Sequence, residues 1–79
     1  MTKWEVQNSL KELIGEFTTI RSEIKELIDY YMMDEDGQVI VEDFGEYIAV
    51  EFEDEDGVDE EVLVYYQNAG STWYISKVA

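Results

Sequence analysis

Eight of the eleven residues from Glu51 to Glu61 are acidic, in the order E-F-E-D-E-D-G-V-D-E-E. Carboxylates at that density can hold a cation, work as an acid–base pair, or meet a partner's lysines and arginines in the place of phosphates. The rest of the chain narrows the choice. Histidine and cysteine are both absent, which removes the commonest general base, the thiolate nucleophile and the usual metal ligands. No glycine-rich phosphate loop is present, and Ser9, Ser22, Ser71 and Ser76 stand in no nucleophile-elbow context. A chain of 79 residues also leaves little room for an enclosed substrate pocket. The expectation is a protein that is not an enzyme and takes no cofactor.

A metal is tested by the second acidic stretch. Asp34, Asp36, Gly37, Val39 and Asp43 resemble the third, fifth, sixth, eighth and twelfth positions of an EF-hand calcium loop. The first position, normally Asp, falls on Met32, and Asp at the twelfth shortens the bidentate reach that Glu gives. The segment from Glu46 alternates like a strand where an exiting helix is required. A charged helix-to-strand turn, with no metal, is the expected reading.

Phosphate imitation fits the charge distribution. The net charge is -15. Residues 1–33 hold six acids and four bases, whereas residues 34–79 hold fourteen acids and one base, Lys77. All fourteen lie between Asp34 and Glu61 with no base among them, a concentration that solubility alone does not require. The expected partner-binding set is Glu51, Glu53, Asp54, Glu55, Asp56, Asp59, Glu60 and Glu61, with Tyr47 and Tyr65 as anchoring aromatics. Asp34, Glu35, Asp36, Glu42, Asp43 and Glu46 form a secondary acidic patch. Self-repulsion disfavours nucleic acid and anionic membranes as direct ligands and favours a basic protein.

These side chains need elements to hold them. An apolar fraction of 46% is too rich for a disordered acidic tail, so one folded domain over residues 1–79 is expected. Val6, Leu10, Leu13, Ile14, Phe17, Ile20, Ile24, Leu27, Ile28 and Tyr31 recur at three-and-four spacing, which predicts one amphipathic helix over about 3–33, some 45 Å long. Thr2 and Glu5 make a capping box at its start. Gly15, Thr18 and Thr19 fall on the polar side of that stripe and are read as tolerated. Short strands are predicted at about 38–41, 46–53, 61–67 and 72–78, separated by turns at Asp43-Phe44-Gly45, Asp56-Gly57 and Asn68-Ala69-Gly70. The fold class is α+β, a long N-terminal helix on a mostly antiparallel three- to four-stranded sheet.

Register follows from keeping carboxylates out of the core. A three-residue loop, Asp56-Gly57-Val58, pairs Phe52 with Val62, Val50 with Val64 and Ile48 with Tyr66, all facing the helix. A two-residue loop would pair Phe52 with Glu61 and bury a charge, at a cost of several kcal/mol. The favoured register sets Glu53 opposite Glu61; for the last strand, separately, Trp73 and Ile75 are expected inward.

Size, acidity and layout together are similar in kind to the DNA-mimic inhibitors that phages and mobile elements direct against restriction, CRISPR or repair proteins, the uracil-DNA glycosylase inhibitors among them. No motif is shared, so no residue is carried over. That likeness implies competitive occlusion of a basic, nucleic-acid-binding protein; a cytoplasmic location is expected, that of a bacterial host if the chain is phage-encoded. The leader-like apolar core of a signal peptide is missing from MTKWEVQNSL, and no stretch approaches a membrane span. Two other readings use the same residues. The helix stripe repeats every seven residues and could meet a second copy or a protein partner, though the sheet needs it as cover. An immunity protein against a basic toxin would carry the same electrostatics.

Overall fold

A computed structural model describes residues 2–32 and 39–79. The fold is α+β, with two short helices on one side of a four-stranded antiparallel sheet. Helix α1 spans Lys3–Lys11. A 3-10 turn over Arg21–Glu23 leads into α2, Ile24–Met32. Strands β1 (Ile40–Asp43), β2 (Tyr47–Glu53), β3 (Asp59–Ala69) and β4 (Thr72–Val78) lie side by side in chain order.

The single long helix is corrected to two. Its start is as expected: the Thr2 hydroxyl accepts from the Glu5 amide at 3.1 Å, and the Glu5 carboxylate accepts from the Thr2 amide at 3.2 Å. The helix ends after Lys11, however, and gives way to turns over 12–16, within which Gly15 at φ +77, a left-handed conformation, keeps the helix from resuming. The chain then extends. Thr19 exchanges two backbone hydrogen bonds with Trp73, at 3.0 and 2.7 Å, and so adds to the edge of β4. β-Branched threonines suit that extended pairing better than a helix interior. Ile14 and Ile20, read as part of the apolar stripe, are consequently exposed.

One apolar cluster joins both helices to the sheet. Val6, Leu10 and Leu13 from the first segment and Ile24, Ile28 and Met32 from the second meet Val41, Ile48, Val50, Phe52, Val62, Val64, Tyr66, Ile75 and Val78. Helix α1 lies over β3 and β4, and α2 over β1. Tyr31 donates to Glu12 at 2.6 Å and ties α2 back to the end of α1.

Side-chain parity in the central hairpin is as expected, but the register is not. Val50 faces Val62, Ile48 faces Val64, and Phe52 faces Glu60. The pairing has slipped by two residues, which leaves all six intended residues inward and buried. Apolar patterning has period two, so it cannot distinguish registers that differ by two. Turn chemistry decides. Asp54 Oδ1 accepts from the amides of Asp56 and Val58, each at 2.9 Å, and the Asp54 amide donates to the Val58 carbonyl. The loop is therefore Glu55-Asp56-Gly57, with Gly57 at φ +78 in the left-handed position of a three-residue hairpin.

The last strand turns Ile75 inward, with Trp73 half-buried against the core. The β3–β4 register shifts between Tyr65, opposite Lys77, and Tyr66, opposite Ile75, leaving Ser76 as the extra residue. That bulge lets Ile75 and Val78, three positions apart, both face the core.

A polar clasp fixes the 3-10 turn to the sheet. The Arg21 guanidinium forks onto Asp43, at 2.5 and 3.0 Å, and lies 4.4 Å over the ring of Tyr66. Tyr66 donates to the Gly45 carbonyl, and the Gly45 amide donates to Asp43 at 2.9 Å. The Arg21 hydrogen bonds hold the Asp43 carboxyl below its ordinary range, while burial pushes the Tyr66 hydroxyl up. Asp43→Asn is expected to cost about 1–2 kcal/mol in urea unfolding at pH 7, since the fork is charge-assisted and partly exposed. Because the folded Asp43 pKa is depressed, its stabilisation is complete above the ordinary carboxylate range, about pH 4, and is lost as pH falls through the lower folded value. The difference between wild type and Asp43→Asn should therefore shrink only in acid.

Candidate functional site

The acidic stretch forms the end of the β2–β3 hairpin. Strand β1 begins opposite Glu51, and Ala79, following β4, bonds Leu63 in both directions. No described strand flanks Phe52–Glu53 on one side or Asp59–Val62 on the other. The hairpin end is thus a two-stranded ribbon among the described residues. Strand β3, eleven residues long, spans about 37 Å, close to the molecule's 42 Å long axis.

Like charges face each other across this ribbon. Glu51 is opposite Glu61, and Glu53 is opposite Asp59. The expected Glu53–Glu61 pair is replaced by these two, a consequence of the slipped register. Glu55 and Asp56 cap the tip, exposed, while Asp54 is half-buried and organises the loop through its two accepted hydrogen bonds. Glu60 projects to the inner side at the edge of the core, half-exposed opposite Phe52. The two ion pairs found among the described residues, Arg21–Asp43 and Lys25–Asp29, include none of these eight carboxylates.

The outer face of the sheet carries these acids into a row of rings. Every buried sheet residue belongs to the helix-side cluster except Ala49, which lies on the opposite face. On that outer face Tyr47 is opposite Tyr65, and Tyr65 is opposite Lys77. Ring centroids are 5.8 Å apart for Tyr47 and Tyr65 and 5.4 Å for Phe44 and Tyr47. Lys77 Nζ lies 5.6 Å over the Tyr65 ring. Next along the strands come Ala49 and Leu63, then Glu51 and Glu61, then Glu53 and Asp59. Sequence reasoning placed Tyr47 and Tyr65 on this face but missed Phe44, read as a turn residue, and Lys77. The residues that form the turn also carry an aromatic side chain, a signal visible in Asp43-Phe44-Gly45.

The secondary patch divides. Glu42 and Glu46 are exposed. Asp43 is taken up by Arg21, which neutralises it and withdraws it from the patch. Asp34, Glu35 and Asp36 lie outside the described residues, as does most of the loop that resembles half of a calcium site. The segment from Glu46 onward leads into strand β2, not a helix. Among the described residues no three carboxylates converge to hold a metal ion, and no helix is long and apolar enough to cross a membrane.

The seven-residue stripe is divided between two helices, and Leu10, Leu13 and Ile24 are used in the core. What the helices leave exposed is single large residues, Trp4 on α1 and Tyr30 on α2.

Facing carboxylates make a stability prediction. Glu51→Lys sets a cation opposite Glu61, so it should raise stability by about 0.5 kcal/mol in low salt. The gain should disappear in urea unfolding at about 1 M sodium chloride, where the Debye length is about 3 Å. No protein-family model, no curated protein and no solved structure matches the chain.

Proposed function

We propose that this chain is a non-catalytic acidic binding protein, a DNA mimic whose β2–β3 ribbon occludes the nucleic-acid-binding surface of a basic protein. The observation that carries this reading is the set of eight carboxylates on the ribbon, two pairs of them facing one another, with no ion-pair partner among the described residues. Such pairing costs the fold stability and returns none. A basic partner would relieve it on binding.

The spacing supports phosphate imitation. Alternate residues on one strand face stand about 6.8 Å apart, so Glu51 and Glu53, or Asp59 and Glu61, offer charges at an interval comparable to successive phosphates. Binding would be competitive, without turnover. Each contact would return counterions to solution in the way that lysine and arginine do on phosphates, and the ribbon's field would steer a cationic groove into encounter. The target class is a restriction, CRISPR or repair protein, or any other protein with a basic nucleic-acid groove.

The test is a low-salt capture from bacterial lysate with wild type and Glu53→Lys/Asp56→Lys as parallel baits. Nucleic-acid-binding proteins should be retained by wild type alone and released by added duplex DNA. Affinity for a captured partner should fall at least a hundredfold between about 50 and 200 mM salt. The double variant should stay folded, since Glu53 and Asp56 are both exposed and a cation in place of Glu53 would face Asp59 favourably. Equal retention by both baits would move the contact to the helices, and a basic partner that DNA does not displace would point to a toxin.

A further inference from the structure

The aromatic row on the open sheet face is the feature that the acidic ribbon does not account for. Phe44 is 52% exposed although it closes a tight turn. Tyr47, Leu63 and Tyr65 are each half-buried, flanked by their own neighbours and uncovered by either helix. Ala49 between them is fully buried, so the surface there is filled, not cavitied. It is a flat strip that begins in rings and ends in carboxylates. About four residues of strand, some 14 Å, separate Tyr65 from Glu61.

This chain shows what settles on its rings. Two of its five bases lie over tyrosines: Arg21 over Tyr66 at 4.4 Å on the inner side, and Lys77 over Tyr65 at 5.6 Å on the outer side. Among the described residues no cation lies over Tyr47 or Phe44. Negative ring faces and, farther along the same strip, unpaired carboxylates are both complementary to groups that are flat, cationic and able to fork onto carboxylate oxygens. Guanidinium has all three properties, whereas an ammonium is a compact, strongly hydrated point charge.

We infer that the outer sheet face is an arginine-docking strip: a segment of a basic protein lies along it, stacking arginine side chains on Phe44 and Tyr47, the rings that Lys77 leaves open, while further arginines fork onto Glu51, Glu61, Glu53 and Asp59. This rests on the proposed function and narrows its partner to one that holds nucleic acid through arginine more than lysine. A second copy of this chain is a poor occupant, since each copy carries a net charge of -15. A purely apolar partner would leave the carboxylate end unpaired.

Octa-arginine and octa-lysine, equal in charge, separate the two contributions. Each is titrated into the full chain by calorimetry in about 100 mM salt. Wild type should bind octa-arginine more tightly than octa-lysine, by about fivefold or more if two rings are stacked. Phe44→Leu/Tyr47→Leu should lose that preference and leave octa-lysine binding within about twofold. Phe44→Leu, at an exposed turn position, gives the same comparison with a smaller loss of about twofold if the double variant fails to fold. Equal affinities in wild type, or a preference that survives in both ring variants, would overturn the strip while leaving the acidic ribbon standing. Neither peptide binding wild type, or Glu53→Lys/Asp56→Lys binding both undiminished, would overturn the strip and the proposed function together.

Discussion

A carboxylate cannot enter the apolar layer without a cationic partner, and the sorting of this sequence follows from that constraint. Twenty acids must be placed around a core formed from one side of a sheet and two short helices. Among the described residues no charged side chain is buried. The cost of an isolated buried charge is several kcal/mol, a large share of the roughly 5–15 kcal/mol by which domains are stable. Asp43 comes closest to the inner side, paired in register with Ile48, and it is the acid that Arg21 grips. Glu60 also faces inward, at the ribbon end opposite Phe52, where it stays half-exposed.

The same constraint explains why the acids are crowded instead of dispersed. Strands β2 and β3 must alternate, so their outward positions are the available ones along the covered part of the sheet. Beyond Glu51 and Val62 no described strand lies beside the ribbon, and apart from the buried Phe52 its outer face, its tip and Glu60 carry charge. Crowding there costs cross-strand repulsion of tenths of a kcal/mol per pair, far less than burial would. The fold thus tolerates a strongly anionic projection because repulsion in water is weak and screened. That tolerance makes the projection available for a partner without threatening the core.

The clasp around Arg21 connects the two halves of this arrangement. It pins the chain between the helices to the β1–β2 turn, and that turn presents Phe44 to the outer face beside Tyr47. The inner and outer surfaces therefore share one anchor. Trp73 does similar work at the other edge, where its backbone pairs with Thr19 and its ring meets Tyr66 edge-on at 5.6 Å.

Much of this was legible in the residues. Alternation in 46–53 and 61–67 determined which side chains face the core, and the concentration of acids between Glu51 and Glu61 determined where the anionic surface had to be, because both depend on period and composition within one segment. Thr2 and Glu5 determined the helix start through bonds that span three residues. The break at Gly15 was not legible, since the helical stripe reads through it and only the pairing of Thr19 with Trp73, 54 positions away, gives the extended backbone a partner. Registers two residues apart bury the same side chains, so the choice fell to the Asp54 loop hydrogen bonds. The neutralisation of Asp43 and the gathering of Phe44, Tyr47, Tyr65 and Lys77 into one row were decided by tertiary structure alone, because each joins residues that no local period relates.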